Sequence, residues 1–123
     1  MDSASAQALT DALSGALGDG LRTVAVGNVS VPEYEIIYMR PDIDELYTEE
    51  MRENILQEIV FEHIAEARNE DLFPPLAGLE YTVRIYEQGM NLVGWTDDTA
   101  LFVGLDPDEE LLPTAIEVCR QEL

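Results

Sequence analysis

The order of helical and extended patterns predicts an α+β domain in which helices cover a five-stranded antiparallel sheet. Apolar residues recur at helical spacing in separate segments, and five short segments between them are rich in β-branched and aromatic residues. Several strand connections are short enough for antiparallel neighbours. Because 123 residues suffice for one hydrophobic core, we interpret residues 1–123 as a single domain with the order α-β-β-α-β-β-β-α.

The first part of the chain predicts a helix followed by two strands. Alanine and leucine recur at helical spacing over residues 5–17, and the glycines within residues 18–20 end this helix. Residues 21–29 and 34–40 are predicted strands joined by a polar loop. The acids within residues 42–45 have capping-box spacing, which predicts a helical turn or a helix start.

A long amphipathic helix is predicted from Thr48 onward. One face carries glutamates at steps of four residues, a spacing at which like charges repel each other in dilute buffer. The apolar face, which we expect to pack inward, comprises Met51, Ile55, Leu56, Ile59, Val60, Ile64 and Ala67.

Three strands are predicted after this helix, at residues 79–87, 91–96 and 100–105. The connectors, residues 88–90 and 97–99, are short enough for hairpins. The glycine of the first connector, Gly89, is expected to adopt the positive φ of a tight turn. Trp95 follows Gly94 in a strand, where the missing side chain lets another group approach the backbone.

The last predicted helix begins near Asp106, with this aspartate as its N-cap and Pro107 at the first helical position. Pro113 is unfavourable in a helix interior, so an alternative start lies at Pro113 itself.

Net charge is the strongest compositional signal. The chain has 26 acidic residues against 6 basic residues, all of them arginine, and a formal net charge of -20. Such a surface repels itself at ordinary ionic strength, whereas the Debye length falls to roughly 3 Å in molar salt. Because the acids are spread evenly and the apolar fraction is 46%, we interpret them as adaptation to a salt-rich cytoplasm. The alternative is that they bind a basic partner or calcium.

Several classes of function are disfavoured by the sequence. Six scattered arginines do not form a nucleic-acid-binding surface, and no apolar run reaches the roughly 18 residues of a membrane span. The acidic, Arg-free N-terminal segment is unlike a secretory signal, so we expect a cytoplasmic protein. Cys119 is the single cysteine, and we expect it to be a small buried apolar residue rather than a reactive thiol.

Motifs for metal binding and catalysis are also missing. His63 is the single histidine, and together with Glu66 it would supply only two ligands, so we predict no metal site. The acidic clusters, including Asp97-Asp98, do not have the spacing of a calcium loop. No nucleophile elbow, phosphate loop or dinucleotide fingerprint is present, so we predict no catalytic residue, no cofactor and no enzymatic activity.

The element order and the segment "VRIYEQGMNLVGWTDDTALFVGLDPDEELLPTAIEVCR" resemble the Roadblock-type dynein light chain superfamily. The segment has a strand, a Gly turn at Gln88-Gly89, a strand, an acidic turn, a strand and a "DPD" stretch before the last helix. In overall character the chain also resembles uncharacterised small acidic proteins of haloarchaea. The first resemblance implies a Roadblock- or profilin-like fold and a non-catalytic homodimer that scaffolds or regulates small GTPases, motility or signalling machinery.

Three functional hypotheses follow from these observations. The first is a binding or scaffolding module with an unknown protein partner and no nucleic acid or membrane partner; the Roadblock resemblance implies that it is homodimeric through the long helix and the third strand. Its interface candidates are Ile55, Ile59, His63, Tyr81, Val83 and Ile85, each of which alternatively belongs to the core. The second is a small-ligand sensor with a pocket on the sheet face formed by Tyr38, Tyr86 and Trp95. The third is an enzyme that uses scattered carboxylates, which requires a cleft that brings at least two acids together.

Overall fold

The computed structural model of the protein describes residues 2–28, 30–31, 33–97 and 99–122, with the side chains of residues 66–69 excepted. It confirms the predicted order of helix, two strands, helix, three strands and helix. The helices are α1 (Ser3–Leu17), a short α2 (Pro41–Asp44), α3 (Glu49–Leu72) and α4 (Leu111–Glu122). The strands are β1 (Leu21–Asn28), β2 (Glu33–Met39), β3 (Tyr81–Tyr86), β4 (Gly89–Thr96) and β5 (Thr99–Leu105).

The five strands form one antiparallel sheet in the order β2-β1-β5-β4-β3, so β2 and β3 are its edges. One row of paired residues runs across it, from Val24 through Val103 and Leu92 to Val83. Paired residues in an antiparallel sheet point to the same side, so this row and its alternate neighbours define one face. We name the two faces after the helices that cover them, the α1/α4 face and the α3 face.

The α1/α4 face contains the main hydrophobic core. Leu9 and Leu13 of α1 and Cys119 of α4 have no exposed surface, and they pack against strand residues such as Val103 and Leu105, which are equally buried. The helix α1 starts where the carboxylate of Asp2 accepts a hydrogen bond of 2.8 Å from the amide of Ser5. This half of the molecule is therefore closely packed.

Packing is looser on the α3 face. Its buried cluster comprises Ile59 of α3 with Val93 and Ala100 of the sheet, and half-buried side chains surround it. Two predicted inward residues of α3 are instead exposed, Met51 at 42% and Ile64 at 67%, because α3 contacts the sheet with a narrower stripe than the sequence pattern predicts. Ala67 lies outside the described side chains. The helix α3 thus covers the sheet only in part.

Arg40 joins three connecting segments at one end of the sheet. Its guanidinium donates hydrogen bonds to the carboxylate of Asp42 in α2, to the carboxylate of Asp106 after β5 and to the carbonyl of Asp19 after α1, at 2.6 to 3.0 Å. These hydrogen bonds hold the pKa of Asp42 below its usual value and raise the pKa of Arg40. The carboxylate of Asp42 therefore binds Arg40, and no capping box forms at α2.

The predicted start of α4 was wrong. The helix begins at Leu111, so Pro113 lies in its first turn, where backbone amides need no partner within the helix. Asp106 does not cap the helix because its carboxylate binds Arg40. Asp108 shapes the preceding turn and accepts a hydrogen bond of 3.0 Å from the amide of Glu110.

Gly89 also differs from the prediction. The β3–β4 hairpin closes through Glu87 and Gln88, which places Gly89 in β4, and its φ is not positive. The physical reason for glycine here is space, because a Cβ built on Gly89 would overlap the guanidinium of Arg22. In the next hairpin Asp97 has the positive φ, 51°, while Asp98 lies outside the described residues.

In the parts of the chain that the structure describes, no helix combines the length and the apolar character needed to cross a bilayer.

Candidate binding surfaces

A cavity of about 220 Å³ lies between the α3 face of the sheet and the helices α2 and α3. Its floor contains small residues of the central strands, Ala25 and Gly27 of β1 and Ala100 and Gly104 of β5. Its walls include the apolar side chains of Ile36, Met39, Ile43, Leu56, Ile59 and Phe102. Small floor residues leave the space under α3 unfilled, which is the physical origin of the cavity.

Two arginines line the same cavity. Arg22 donates a hydrogen bond of 2.7 Å to the carbonyl of Gln88, and its side chain is 15% exposed. Arg52 is 24% exposed, and its guanidinium forms an ion pair with Asp44 and contacts the sulfur of Met39 at 3.4 Å. The Nε of Arg52 is buried and has no hydrogen-bond partner among the described residues.

The three pocket candidates lie in different places. Tyr86 lines the cavity and is 54% exposed, so it stands where the cavity meets solvent. Tyr38 lies on the α1/α4 face, where it packs against the main core. Trp95 packs in the cluster under α3 and contacts the ring of His63, with the ring centroids 5.2 Å apart, but it does not line the cavity.

The edge strand β3 is a second candidate surface. Of the three interface candidates on it, Val83 is 37% exposed and Ile85 is 56% exposed. Tyr81 instead lies over Gly94, where an added Cβ would overlap its ring, and it holds the guanidinium of Arg120 at 5.6 Å from its ring centroid. Of the three candidates on β3, only Val83 and Ile85 are therefore available to a partner.

The helix α3 lies close to this edge. Glu62 of α3 forms an ion pair with Arg84 of β3, and a cavity of about 150 Å³ between α3 and β3 borders both residues. The three interface candidates on α3 face the sheet: Ile59 is buried, and Ile55 and His63 are half-buried. The exposed large apolar residues among the described side chains of α3 are Met51, Phe61, Ile64 and Leu72, none of which sequence reasoning singled out as an interface residue.

Metal ligands do not converge in the described part of the structure. No group of three or more histidine, cysteine, aspartate or glutamate side chains there is arranged to hold a metal ion. The ring of His63 packs on Trp95, whereas the side chain of Glu66, the other residue of the pair considered and rejected as a metal site, lies outside the described side chains.

Cys119 is fully buried against α1 and the sheet, which agrees with the prediction that it is a small buried apolar residue. Burial raises the pKa of its thiol to about 11, because the thiolate would lose its hydration.

This burial predicts a loss of stability at alkaline pH. The thiol has a higher pKa in the folded chain than the roughly 8.5 of an unfolded one, so its contribution is present below about pH 8.5 and is lost as the pH rises through 11. We expect wild-type stability to fall by about 2 kcal/mol more than that of Cys119→Ala between about pH 8 and pH 11. Urea unfolding of both proteins measures the difference. Parallel curves for the two proteins would contradict the prediction.

The cavity residues that sequence reasoning missed are Arg22, Arg52 and the small residues of the floor. A signal was present in the first strand, where Ala25 and Gly27 alternate on one face of a segment otherwise suited to large β-branched residues. Arg22 and Arg52 are far apart in sequence, and their shared location depends on how α3 crosses the sheet. No sequence pattern predicts that crossing.

Comparison with known proteins gives one assignment. None of the curated proteins matches the chain. The model of one family matches residues 7–123, nearly the whole sequence, and on this ground the chain belongs to the family described as a domain of unknown function, DUF7522.

Proposed function

We propose that the protein is a non-catalytic binding or scaffolding module that works as a homodimer joined through β3 and α3. The observation that supports this proposal is the composition of the β3 edge. Residues Tyr81–Tyr86 contain no aspartate or glutamate, although 26 of the 123 residues of the chain are acidic. The opposite edge, β2, carries Glu33 and Glu35.

Charged residues on an edge strand normally prevent it from pairing with another chain. The exposed part of β3 lacks acidic charge and presents Val83 and Ile85. Two copies of this edge can pair as antiparallel strands about a two-fold axis, because each strand offers the same unpaired backbone groups. Glu62 of α3 forms an ion pair with Arg84 of β3, so α3 lies beside this edge and can contribute to the same interface.

The net charge restricts the conditions for this dimer. Two copies with a formal charge of -20 each repel strongly in dilute buffer. In molar salt the Debye length is only about 3 Å, so the repulsion acts only between charges that are nearly in contact. The resemblance to the Roadblock superfamily adds support, since it implies a homodimer with the same elements at its interface. It also suggests the class of partner for the dimer, a small GTPase or a component of motility or signalling machinery.

Replacement of Ile85 by lysine tests the dimer. We expect wild-type protein to be dimeric in about 2 M KCl, where screening is nearly complete. Ile85→Lys should weaken the dimer at least about tenfold, because each copy would bury an ammonium group without a partner. Size-exclusion chromatography with light scattering, over a dilution series, gives both dissociation constants.

The matched control is Val31→Lys, which makes the same change of charge at another exposed apolar residue, 57% accessible, beside the opposite edge of the sheet. This control should remain dimeric. A monomeric wild-type protein at high concentration in about 2 M KCl, or equal weakening by both lysines, would contradict the proposed interface.

A further inference from the structure

The cavity under α3 differs in charge from the rest of the molecule. No aspartate or glutamate is among the described residues that line it, although the chain has 26 of them. Two of the 6 basic residues, Arg22 and Arg52, do line it. A strongly acidic protein thus places two largely buried cations beside one apolar space.

The size of the cavity restricts what it can hold. An apolar cavity of roughly 150 Å³ accommodates benzene, so 220 Å³ accommodates a ring or short alkyl chain with one additional functional group. This volume is below the usual range for drug-sized ligands and far too small for a folded segment of another protein. The apolar walls favour a hydrocarbon body over a sugar or nucleotide.

Arg52 indicates the chemistry of the additional group. Its Nε is buried and has no acceptor among the described residues, while another nitrogen of the same guanidinium pairs with Asp44. A buried donor without an acceptor is unfavourable, and a planar guanidinium is well suited to a carboxylate. A cationic ligand would find no carboxylate among the described lining residues, and a neutral hydrocarbon would leave this donor unsatisfied.

We propose that this cavity binds a small monocarboxylic acid, with the hydrocarbon body against Leu56, Ile59 and Phe102 and the carboxylate bound by Arg52. The cavity is lined by the sheet-facing side of α3 and by Tyr86 at the end of β3, so it adjoins the proposed dimer interface, but the inference does not depend on the oligomeric state. The net charge of the protein does not exclude an anion in molar salt, because the Debye length is then only about 3 Å.

Three probes with the same six-carbon chain test the proposal: hexanoate, hexanol and hexylammonium. Heteronuclear NMR titrations in about 2 M KCl would locate and quantify the binding of each probe. We expect hexanoate to perturb the amides of Ala25, Ile59 and Gly104, and to bind about tenfold more tightly than hexanol. Hexylammonium should bind most weakly. Equal binding of hexanoate and hexanol, or no perturbation of the cavity amides, would overturn the proposal.

Two variants sharpen the test. Arg52→Gln should reduce the affinity for hexanoate to that for hexanol, since it removes the cation. Because this change also breaks the ion pair with Asp44, a second variant, Ala25→Leu, fills the floor of the cavity and leaves both arginines in place. Its matched control is Ala8→Leu on the exposed side of α1. Ala25→Leu should abolish hexanoate binding and Ala8→Leu should retain it, and unchanged binding by Ala25→Leu would overturn the assignment of the site.

Discussion

The protein is expected to lose most of its stability when the KCl concentration falls from about 2 M to about 0.1 M, where the Debye length rises to roughly 10 Å. At a formal charge of -20, most carboxylates have no counter-charge, and the arginines of the described residues pair with only a few of them. Repulsion among the others acts on the compact state more than on the unfolded chain. We expect the thermal midpoint to fall by more than about 20 °C, or the chain to unfold.

Circular dichroism during heating at a series of KCl concentrations measures this effect. The combined replacement of three exposed glutamates of α3 by glutamine, at Glu50, Glu53 and Glu58, should reduce the salt dependence, because it removes charge from one helix surface. Electrostatic screening is nearly complete by about 1 M, so most of the change in the thermal midpoint should occur below that concentration. A midpoint that is the same in dilute and molar salt would show that the acids have another role.

The second large effect is an asymmetry between the two faces of the sheet. Leu13 of α1 is completely buried in the main core, so Leu13→Ala should lower the free energy of unfolding by about 3–5 kcal/mol. Leu56 of α3 is half-buried and already borders the cavity, so it has fewer packing neighbours to lose. We expect Leu56→Ala to cost only about 1 kcal/mol.

Urea unfolding of both variants at the same molar KCl concentration measures the difference, and the pair is matched because each change removes the same atoms from a helix. If the slope of the unfolding free energy against urea concentration stays at the wild-type value, the variants unfold in the same way and their free energies can be compared. Equal destabilisation by the two changes would mean that α3 packs as closely as α1, and this would argue against the cavity.

Local sequence signals predicted most of the backbone correctly where a single strong rule applied. Helix α1 ends at Gly18, which has the positive φ of 56° expected of a terminating glycine. The glycine beside Trp95 does admit a close neighbour, the ring of Tyr81. Errors arose where two explanations were compatible with one residue. The sequence around Gly89 is compatible with a tight turn and with a close approach, and the hairpin register together with the position of Arg22 distinguishes them.

The candidate surfaces were less predictable than the fold. An apolar stripe on α3 does not reveal which of its residues touch the sheet, because this depends on how closely the helix approaches the strands beneath it. Ile59 is buried and Ile64 is exposed, although both belong to the predicted inward face. The alternation on β3 was recognised, but its position at an edge follows from the strand order, which involves pairing between distant segments.

The sequence by itself determined the element order, the excess of acids over bases and the absence of familiar catalytic motifs, because these are properties of local pattern and composition. Only the tertiary structure decided which edge of the sheet lacks acids, that Arg22 and Arg52 line one cavity, and that small residues of β1 and β5 leave that cavity open. The physical reason is that such features depend on contacts between residues far apart in the chain. The packing geometry of α3 against the strands sets these contacts, and no local pattern encodes that geometry.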